Sequence, residues 1–207
     1  MDITYKLFDN TAGKFTNIKD IYTLDENCKY LKIKFNVISA LGGDKHNKKM
    51  IHLHLEPERP ISKNRFTKIS LPRNIFNKLI RLEILDLSKN KLSRLDPILF
   101  SNLTNLQELY LSENIIKKVD KSLFNYTPNL RILDCSNNEL SLLNEDIFTN
   151  QTDLEILLLH NNKLTDLHEQ LFDSCISKLQ SLHIYENKLE CLSNRLKNKL
   201  SIIPDFK

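Results

Sequence analysis

A leucine spacing that recurs at fixed intervals constrains this chain more than any other feature. Residues 82–92 read LEILDLSKNKL, which places leucines and one asparagine in the pattern L-x-x-L-x-L-x-x-N-x-L. A period of 24 or 25 residues separates successive copies of the first leucine. These leucines are Leu82, Leu106, Leu130, Leu154 and Leu179. A period of this length indicates stacked copies of one small structural unit.

Two further ladders keep the same register. An asparagine stands eight residues after each first leucine, at Asn90, Asn114, Asn138, Asn162 and Asn187. A phenylalanine precedes each first leucine by six or seven residues, at Phe76, Phe100, Phe124, Phe148 and Phe172. Three ladders in one register predict that each copy has the same backbone path and buries the same positions.

Each ladder predicts a physical role. In L-x-L the two leucines alternate with an outward residue, so the leucines face the interior and successive strands form one parallel sheet. The asparagine amide is expected to satisfy backbone groups left unpaired where the chain turns, and to bond to neighbouring turns. The phenylalanines are expected to fill the wider, outer side of each turn.

The periodicity divides the chain into four parts. Residues 70–192 hold five regular repeats, and residues 28–69 hold two irregular ones with an inserted loop at 57–67. Residues 1–27 are expected to form an N-terminal cap or a degraded repeat, because a solenoid exposes its interior without one. Residues 193–207 are expected to be a C-terminal tail or a truncated cap.

The composition restricts the classes of function. Hydrophobic residues make up 41% and charged residues 27%, which is typical of a folded soluble protein. Three glycines argue against phosphate-binding loops, and a net charge of +4 without a long basic block predicts no nucleic-acid partner. No apolar run is long enough to span a membrane. The N-terminus lacks signal-peptide features, so the chain is either intracellular or a mature or truncated segment of a longer protein.

The cysteines and histidines predict no metal and no other cofactor. No C-x-x-C pair is present, and His52 and His54 lack further ligands at suitable spacing. Cys28 and Cys135 occupy leucine positions and are expected to be buried as small hydrophobic residues. Cys175 and Cys191 lie outside the predicted core positions, which leaves open a disulfide between them.

Residues 70–92, SLPRNIFNKLIRLEILDLSKNKL, resemble the typical 24-residue class of leucine-rich repeats. This class is similar to repeats in Toll-type receptor ectodomains, Slit-type guidance proteins and secreted insect immune proteins. The resemblance implies an α/β fold: a right-handed, horseshoe-shaped solenoid with a parallel sheet on its concave face and loops or short helical turns on its convex face. It also implies an extracellular or cell-surface protein that binds other macromolecules. The cysteine-rich flanks of secreted members are missing, as expected of a fragment.

The outward strand positions are the candidate ligand contacts. Apolar and aromatic residues converge there on the C-terminal half of the concave sheet, as at many protein interfaces, with a tyrosine and an aspartate at the edge. The predicted contacts are Tyr110, Ile132, Asp134, Ile156, Leu158, His160, His183 and Tyr185. The alternative interpretation is that β-branched residues simply suit a strand.

Three N-x-T sequons, at Asn102, Asn125 and Asn150, are candidate glycosylation sites. Chance alone would supply a similar number in an asparagine-rich chain. Their shared register, four or five residues before a first leucine, favours glycans that project from the outer turns and leave the sheet face open.

No catalytic motif is present, so the chain is not expected to be an enzyme. The leading hypothesis is an extracellular recognition module for a protein ligand or co-receptor, acting in innate immunity, adhesion or receptor signalling. A homo- or heterodimer is left open. The alternative is an intracellular scaffold with reduced cysteines and no glycans. A direct sensor of lipid or nucleic acid is a weaker third option, given the modest charge.

Overall fold

The computed structural model describes residues 6–9, 14–17, 30–35, 51–55, 71 and 73–207, with side chains for residue 71 and residues 73–207. One sheet runs through it, with strand order β10-β9-β8-β7-β6-β5-β3-β4-β1-β2. The strands are β1 (Lys6–Asp9), β2 (Lys14–Asn17), β3 (Tyr30–Phe35), β4 (Ile51–Leu55), β5 (Ile84–Asp86), β6 (Glu108–Tyr110), β7 (Ile132–Asp134), β8 (Ile156–Leu158), β9 (Ser181–His183) and β10 (Asp205–Phe206). A single helix, α1 (Asn194–Leu200), lies in this part of the chain.

Strands β5 to β10 pair in parallel with one step of the sheet per repeat, which confirms the expected solenoid. The middle residue of each three-residue strand from β6 to β9 is buried and its neighbours are half-buried. In the five regular repeats the motif leucines are buried, for example Leu82, Leu85 and Leu87 at 0% exposure, except for Leu189, which is half-buried. The period-2 alternation of a strand therefore separates a leucine core from an outward face.

The asparagine ladder has the role that its position predicted. Asn114 donates from Nδ2 to the carbonyls of Leu87 (3.0 Å) and Leu111 (2.8 Å), and its Oδ1 accepts the amide of Leu92 (3.1 Å). Asn138 and Asn162 repeat this arrangement one and two turns further on. Each asparagine thus joins its own turn to the preceding one.

A left-handed residue precedes every ladder asparagine. Lys89, Glu113, Asn137, Asn161 and Glu186 have φ between 52° and 59°. This conformation is costly for residues with a Cβ. It persists at the same place in five turns, where the chain leaves the strand and the next side chain points into the interior.

The phenylalanines form a buried column on the outer side of the turns. All five are at most 1% exposed. Ring centroids are 6.3 Å apart for Phe76–Phe100 and for Phe124–Phe148, and 6.5 Å apart for Phe148–Phe172. Near each ring the chain makes short turns closed by i→i+3 hydrogen bonds, such as Leu103 N to Phe100 O at 3.0 Å. The outer face therefore consists of turns, as expected.

Residues 194–207 add a helix and a strand to the C-terminal side of the core. Ser193 caps α1 by accepting the Leu196 amide at its Oγ, and Leu196 and Leu200 are buried. Ile203 is buried, and β10 pairs in parallel with β9. Ile203 follows Leu179 by the same interval that separates the repeats, so this segment continues their register.

The N-terminal part departs from stacking in chain order. β5 pairs with β3, while β4 pairs with the opposite edge of β3 and with β1. The links between these strands are residues 36–50 and 56–83. The first is shorter and the second longer than the links between the regular strands, and β4 does not lie between β3 and β5. The expected loop at 57–67 and the burial of Cys28 lie outside the described residues, as do the side chains of His52 and His54.

The expectation that Cys175 lies outside the core was wrong. Cys175 is 0% exposed, Cys191 is exposed, and both thiols are free. The fifth repeat has one extra residue, which the chain absorbs in a wider turn: the amide of Ile176 bonds to Phe172 O at 2.8 Å. This turn directs Cys175 inwards, and burial raises the pKa of its thiol to about 12. The disulfide left open for Cys175 and Cys191 is therefore not formed. Cys135 is buried as expected.

Candidate binding surface on the inner sheet face

Three rows of side chains cross the outward face of the sheet, one step per strand. They stand at the third, fifth and seventh positions of each motif, and strand register sets their neighbours: Glu108 lies beside Ile132, and Asp134 beside Leu158. All eight predicted contacts occupy these rows. Tyr185 is exposed and the other seven are half-buried. The structure therefore brings the predicted residues together on one face.

An aromatic cluster closes the C-terminal half of this face. The rings of His160 and Tyr185 are stacked with centroids 4.7 Å apart and an interplanar angle of 14°. His183 lies 6.0 Å from His160 and 5.8 Å from Tyr185. The cluster arises because β8 and β9 place positions five and seven of adjacent turns side by side. Tyr185 remains 42% exposed, so its ring is accessible to a partner.

His160 is held in its neutral form. Burial lowers the pKa of His160 below its usual range, and the neighbouring His183 lowers it too, while Asp134 and Glu186 oppose the shift. Its Nδ1 is buried and has no hydrogen-bond partner among the described residues. An imidazole in this setting presents a flat, uncharged ring at neutral pH.

β10 contributes a residue that motif spacing alone did not reveal. Asp205 Oδ2 lies 2.9 Å from both His183 Nε2 and Ser181 Oγ. Lys207, His183 and Ser181 together hold the pKa of the Asp205 carboxyl well below its usual range. The signal was present in the sequence, since Ile203 and Phe206 repeat the spacing of the first two motif leucines.

Ser181, His183 and Asp205 do not form a nucleophilic triad. In a triad the carboxylate holds one imidazole nitrogen while the serine hydroxyl bonds to the other. Here Asp205 Oδ2 and Ser181 Oγ both lie near the same nitrogen, Nε2, and the hydroxyl donates to the carboxylate. The group therefore fixes ring orientation and joins β10 to β9.

Two carboxylates border the apolar part of the face. Glu108 accepts the hydroxyl of Tyr110 at 2.8 Å, and Asp134 accepts the backbone amide of Ser136 at 2.9 Å. Ile132, Ile156 and Leu158 lie between these carboxylates and the aromatic cluster. We call this surface the inner patch. It consists of Glu108, Tyr110, Ile132, Asp134, Ile156, Leu158, His160, His183 and Tyr185. It combines apolar contact area, rings and negative charge.

The three sequon asparagines lie on the outer turns, away from the inner patch, and all are exposed. Asn102 donates to the carbonyl of Asn77 at 2.9 Å, and Asn150 to that of Asn125 at 3.3 Å.

Across the part of the chain with described side chains, no group of three or more His, Cys, Asp or Glu residues is arranged to hold a metal ion. Within the same part, no helix is long and apolar enough to cross a membrane.

The sequence profile of the family described as Leucine rich repeat matches residues 61–116 and again 104–164. Together these matches span half of the chain. The chain belongs to the leucine-rich-repeat family. A comparison with curated protein sequences found no match.

Solved structures of leucine-rich-repeat proteins resemble this one. The crystal structure of the TLR13–ssRNA13 complex matches with 34% identity and a TM-score of 0.59, over 63% of this chain and 18% of that one. The Toll–Spatzle complex of Drosophila, in its glycosylated form, matches with 26% identity and a TM-score of 0.56, over 61% and 18%. The leucine-rich repeat domain of APL1B matches with 28% identity and a TM-score of 0.53, over 58% and 34%. The chain thus spans between 18% and 34% of the length of these three chains.

Proposed function

We propose that this leucine-rich-repeat chain is an extracellular recognition module that binds a protein partner through the inner patch. The observation that carries the proposal is the exposed Tyr185 ring stacked on His160 beside Leu158. Aromatic residues that are held rigidly and border apolar side chains are typical of interface hot spots. The stacked strands fix these side chains about 4.8 Å apart, so little conformational freedom is lost on binding.

The similar structures support a binding role of this kind. Toll is solved in complex with Spatzle, and TLR13 in complex with a single-stranded RNA. A role in innate immunity, adhesion or receptor signalling follows from this resemblance and forms part of the proposal. Glycosylation at Asn102, Asn125 and Asn150 is also part of it, because all three side chains reach solvent on the outer turns.

Paired substitutions test the inner patch. The wild-type chain, multimerised for avidity, would be screened against secreted and cell-surface proteins of the same organism. We expect Leu158→Glu and Tyr185→Ala each to weaken binding of the partner at least about tenfold, because each removes an apolar or aromatic contact from the patch. Both side chains point outward, so the thermal midpoint should change little.

Matched controls are available on other surfaces. Leu142 is 60% exposed and Tyr126 is 48% exposed, so Leu142→Glu and Tyr126→Ala make the same chemical changes at a distance from the patch. They should leave affinity unchanged. A partner that binds both inner-patch variants as tightly as wild type would show that the patch is not the binding surface.

An intracellular scaffold is the second candidate, favoured by the free thiols of Cys135, Cys175 and Cys191. Protein recovered from its own cells separates the two. An extracellular protein should lose apparent mass on N-glycosidase treatment, and replacing all three sequon asparagines by glutamine should abolish that change. Unaltered mobility of the native protein would favour the scaffold.

A further inference from the structure

The inner patch differs in charge from the chain that carries it. The whole chain has a formal net charge of +4. The third, fifth and seventh motif positions of the five regular repeats nevertheless contain three carboxylates, Asp86, Glu108 and Asp134, and no lysine or arginine. Within these five repeats, lysine and arginine are therefore absent from the outward rows, and the nearest lysine in register is Lys32 of β3, beside Asp86.

Two of these carboxylates are available for a partner. Asp86 is buried and accepts the Ser88 amide, so it contributes little. Glu108 and Asp134 are half-buried and form no ion pair among the described residues, since their hydrogen bonds come from neutral donors. Arg131 instead holds Glu155 through two bonds of 2.9 and 3.0 Å. Glu155 is the main cause of the raised pKa of Arg131, and Glu108 makes a smaller contribution.

The rings beside these carboxylates also suit a cation. A lysine or arginine binds over the face of a tyrosine ring, and the interaction strengthens as water is excluded. His160 is neutral because of its burial, so it does not repel a cation at neutral pH. Ile132, Ile156 and Leu158 lie between the carboxylates and the rings, where the apolar stem of a long basic side chain can pack.

We infer that the partner presents a basic segment to the inner patch, with lysine or arginine side chains set among apolar residues. The inference rests on the proposed function and adds the chemistry of the partner. A single-stranded nucleic acid is disfavoured on this face, because its phosphates require lysine or arginine, and the face offers carboxylates.

A phage-displayed library of random peptides, selected on the purified wild-type chain at physiological ionic strength, tests the inference. We expect the enriched peptides to combine lysine or arginine with apolar residues. Their affinity should fall at least about tenfold for the double variant Glu108→Gln/Asp134→Asn, because a partner's cations lose their counter-charges. Both substitutions keep an oxygen that can accept the Tyr110 and Ser136 hydrogen bonds, so folding should be preserved.

The control is a double variant with the same change in net charge, Glu145→Gln/Asp146→Asn, on an exposed outer turn. It should bind the enriched peptides as wild type does. Equal losses in both double variants would show that only overall charge matters and would overturn the inference. An enriched pool that is neutral or acidic, or no enrichment at all, would also overturn it.

Leu158→Glu separates the two proposals. If the enriched peptides are not basic but still require Leu158, the inner patch binds and only its charge preference is wrong. If the basic peptides bind Leu158→Glu and the Glu108/Asp134 variant as they bind wild type, both the patch and the inference fail. A labelled single-stranded RNA should show no binding, and RNA binding that Leu158→Glu abolishes would assign the patch to nucleic acid instead.

Discussion

At the scale of single residues, buried polar side chains decide whether one turn can stack on the next. Four ladder asparagines donate to two turns and accept from one, and a carbonyl that lies between two successive asparagines receives both as donors. These four are Asn114, Asn138, Asn162 and Asn187. Leu87 O, for example, accepts from both Asn90 and Asn114. The amide that Asn114 Oδ1 accepts, Leu92 N, has no second acceptor among the described residues, so its loss dominates the cost of a substitution.

Replacing Asn114 with leucine should destabilise the protein by about 2 kcal/mol, although leucine is the more apolar side chain. The cost arises because Leu92 N is left in the interior without an acceptor, while the carbonyls keep other donors. Chemical unfolding in urea measures it. Asn77→Leu, at an exposed position outside the sequons, is the control and should stay within about 0.5 kcal/mol of wild type. Equal effects of the two changes would contradict the ladder's role.

Gln151 is a polar residue whose replacement should stabilise the fold. It is 0% exposed, and its Oε1 has no hydrogen-bond partner among the residues that the structure describes. Its Nε2 donates to Phe124 O at 2.7 Å, but that carbonyl also accepts the amide of Thr127. Gln151→Leu should therefore raise the free energy of unfolding by roughly 1 kcal/mol. Gln180→Leu, at an exposed site, is the control and should not raise the free energy of unfolding. A loss of stability in Gln151→Leu would show that Oε1 has a hydrogen-bond partner.

At the scale of elements, α1 and β10 protect the C-terminal side of the leucine core. Leu200 is completely buried, whereas Ile202, two residues later, is 66% exposed. Leu200→Ala should cost about 2–5 kcal/mol, because a cavity opens beneath the last turn. Ile202→Ala should cost almost nothing. Calorimetry on both variants checks the difference, and similar thermal midpoints would mean that α1 does not pack on the core as described.

Short-range sequence spacing predicts some elements of the fold and not others. The regular turns could be predicted because the leucine, asparagine and phenylalanine of each repeat act on neighbours at fixed spacing. Burial of Cys175 could not, because one inserted residue changes the turn that directs its side chain. Around β10 isoleucine and phenylalanine, Ile203 and Phe206, replace the first two motif leucines, and the pairing of β5 with β3 depends on contacts distant in sequence. The inner patch could be predicted as a face, but its contact with Asp205 required β10.

At the scale of the whole molecule, acidification should lower the free energy of unfolding through three separate groups: His160, Glu155 and Asp205. A histidine with a lowered pKa takes up a proton more readily when unfolded, so His160 should destabilise the folded state as pH falls below about 6.5. Burial is the main cause of the lowered pKa of His160, Asp134 and Glu186 oppose it, and His183 adds to it, while Tyr185 stacks on the ring. Arg131 lowers the pKa of Glu155, and Lys207 lowers that of Asp205; their contributions are present above about pH 4 and are lost below it.

Urea midpoints at pH 7, 5 and 3 measure this dependence. We expect a decrease at each step, and a smaller first step in His160→Gln than in wild type. The same first step in both would show that His160 titrates as it does in the unfolded chain. Its imidazole pKa, followed by NMR, should lie below 6.5.

The two columns of the solenoid have different pitches. In three neighbouring pairs the phenylalanine rings on the outside are 6.3–6.5 Å apart, whereas strands on the inside are spaced about 4.8 Å. Each turn is therefore a wedge, and the size of the outer side chain sets its angle. A smaller residue in the outer column would flatten the arc and spread the inner rows without altering any residue in them. Substitutions in the outer column would therefore change the spacing of the inner rows, and with it the fit of a partner, although the outer column does not contact that partner.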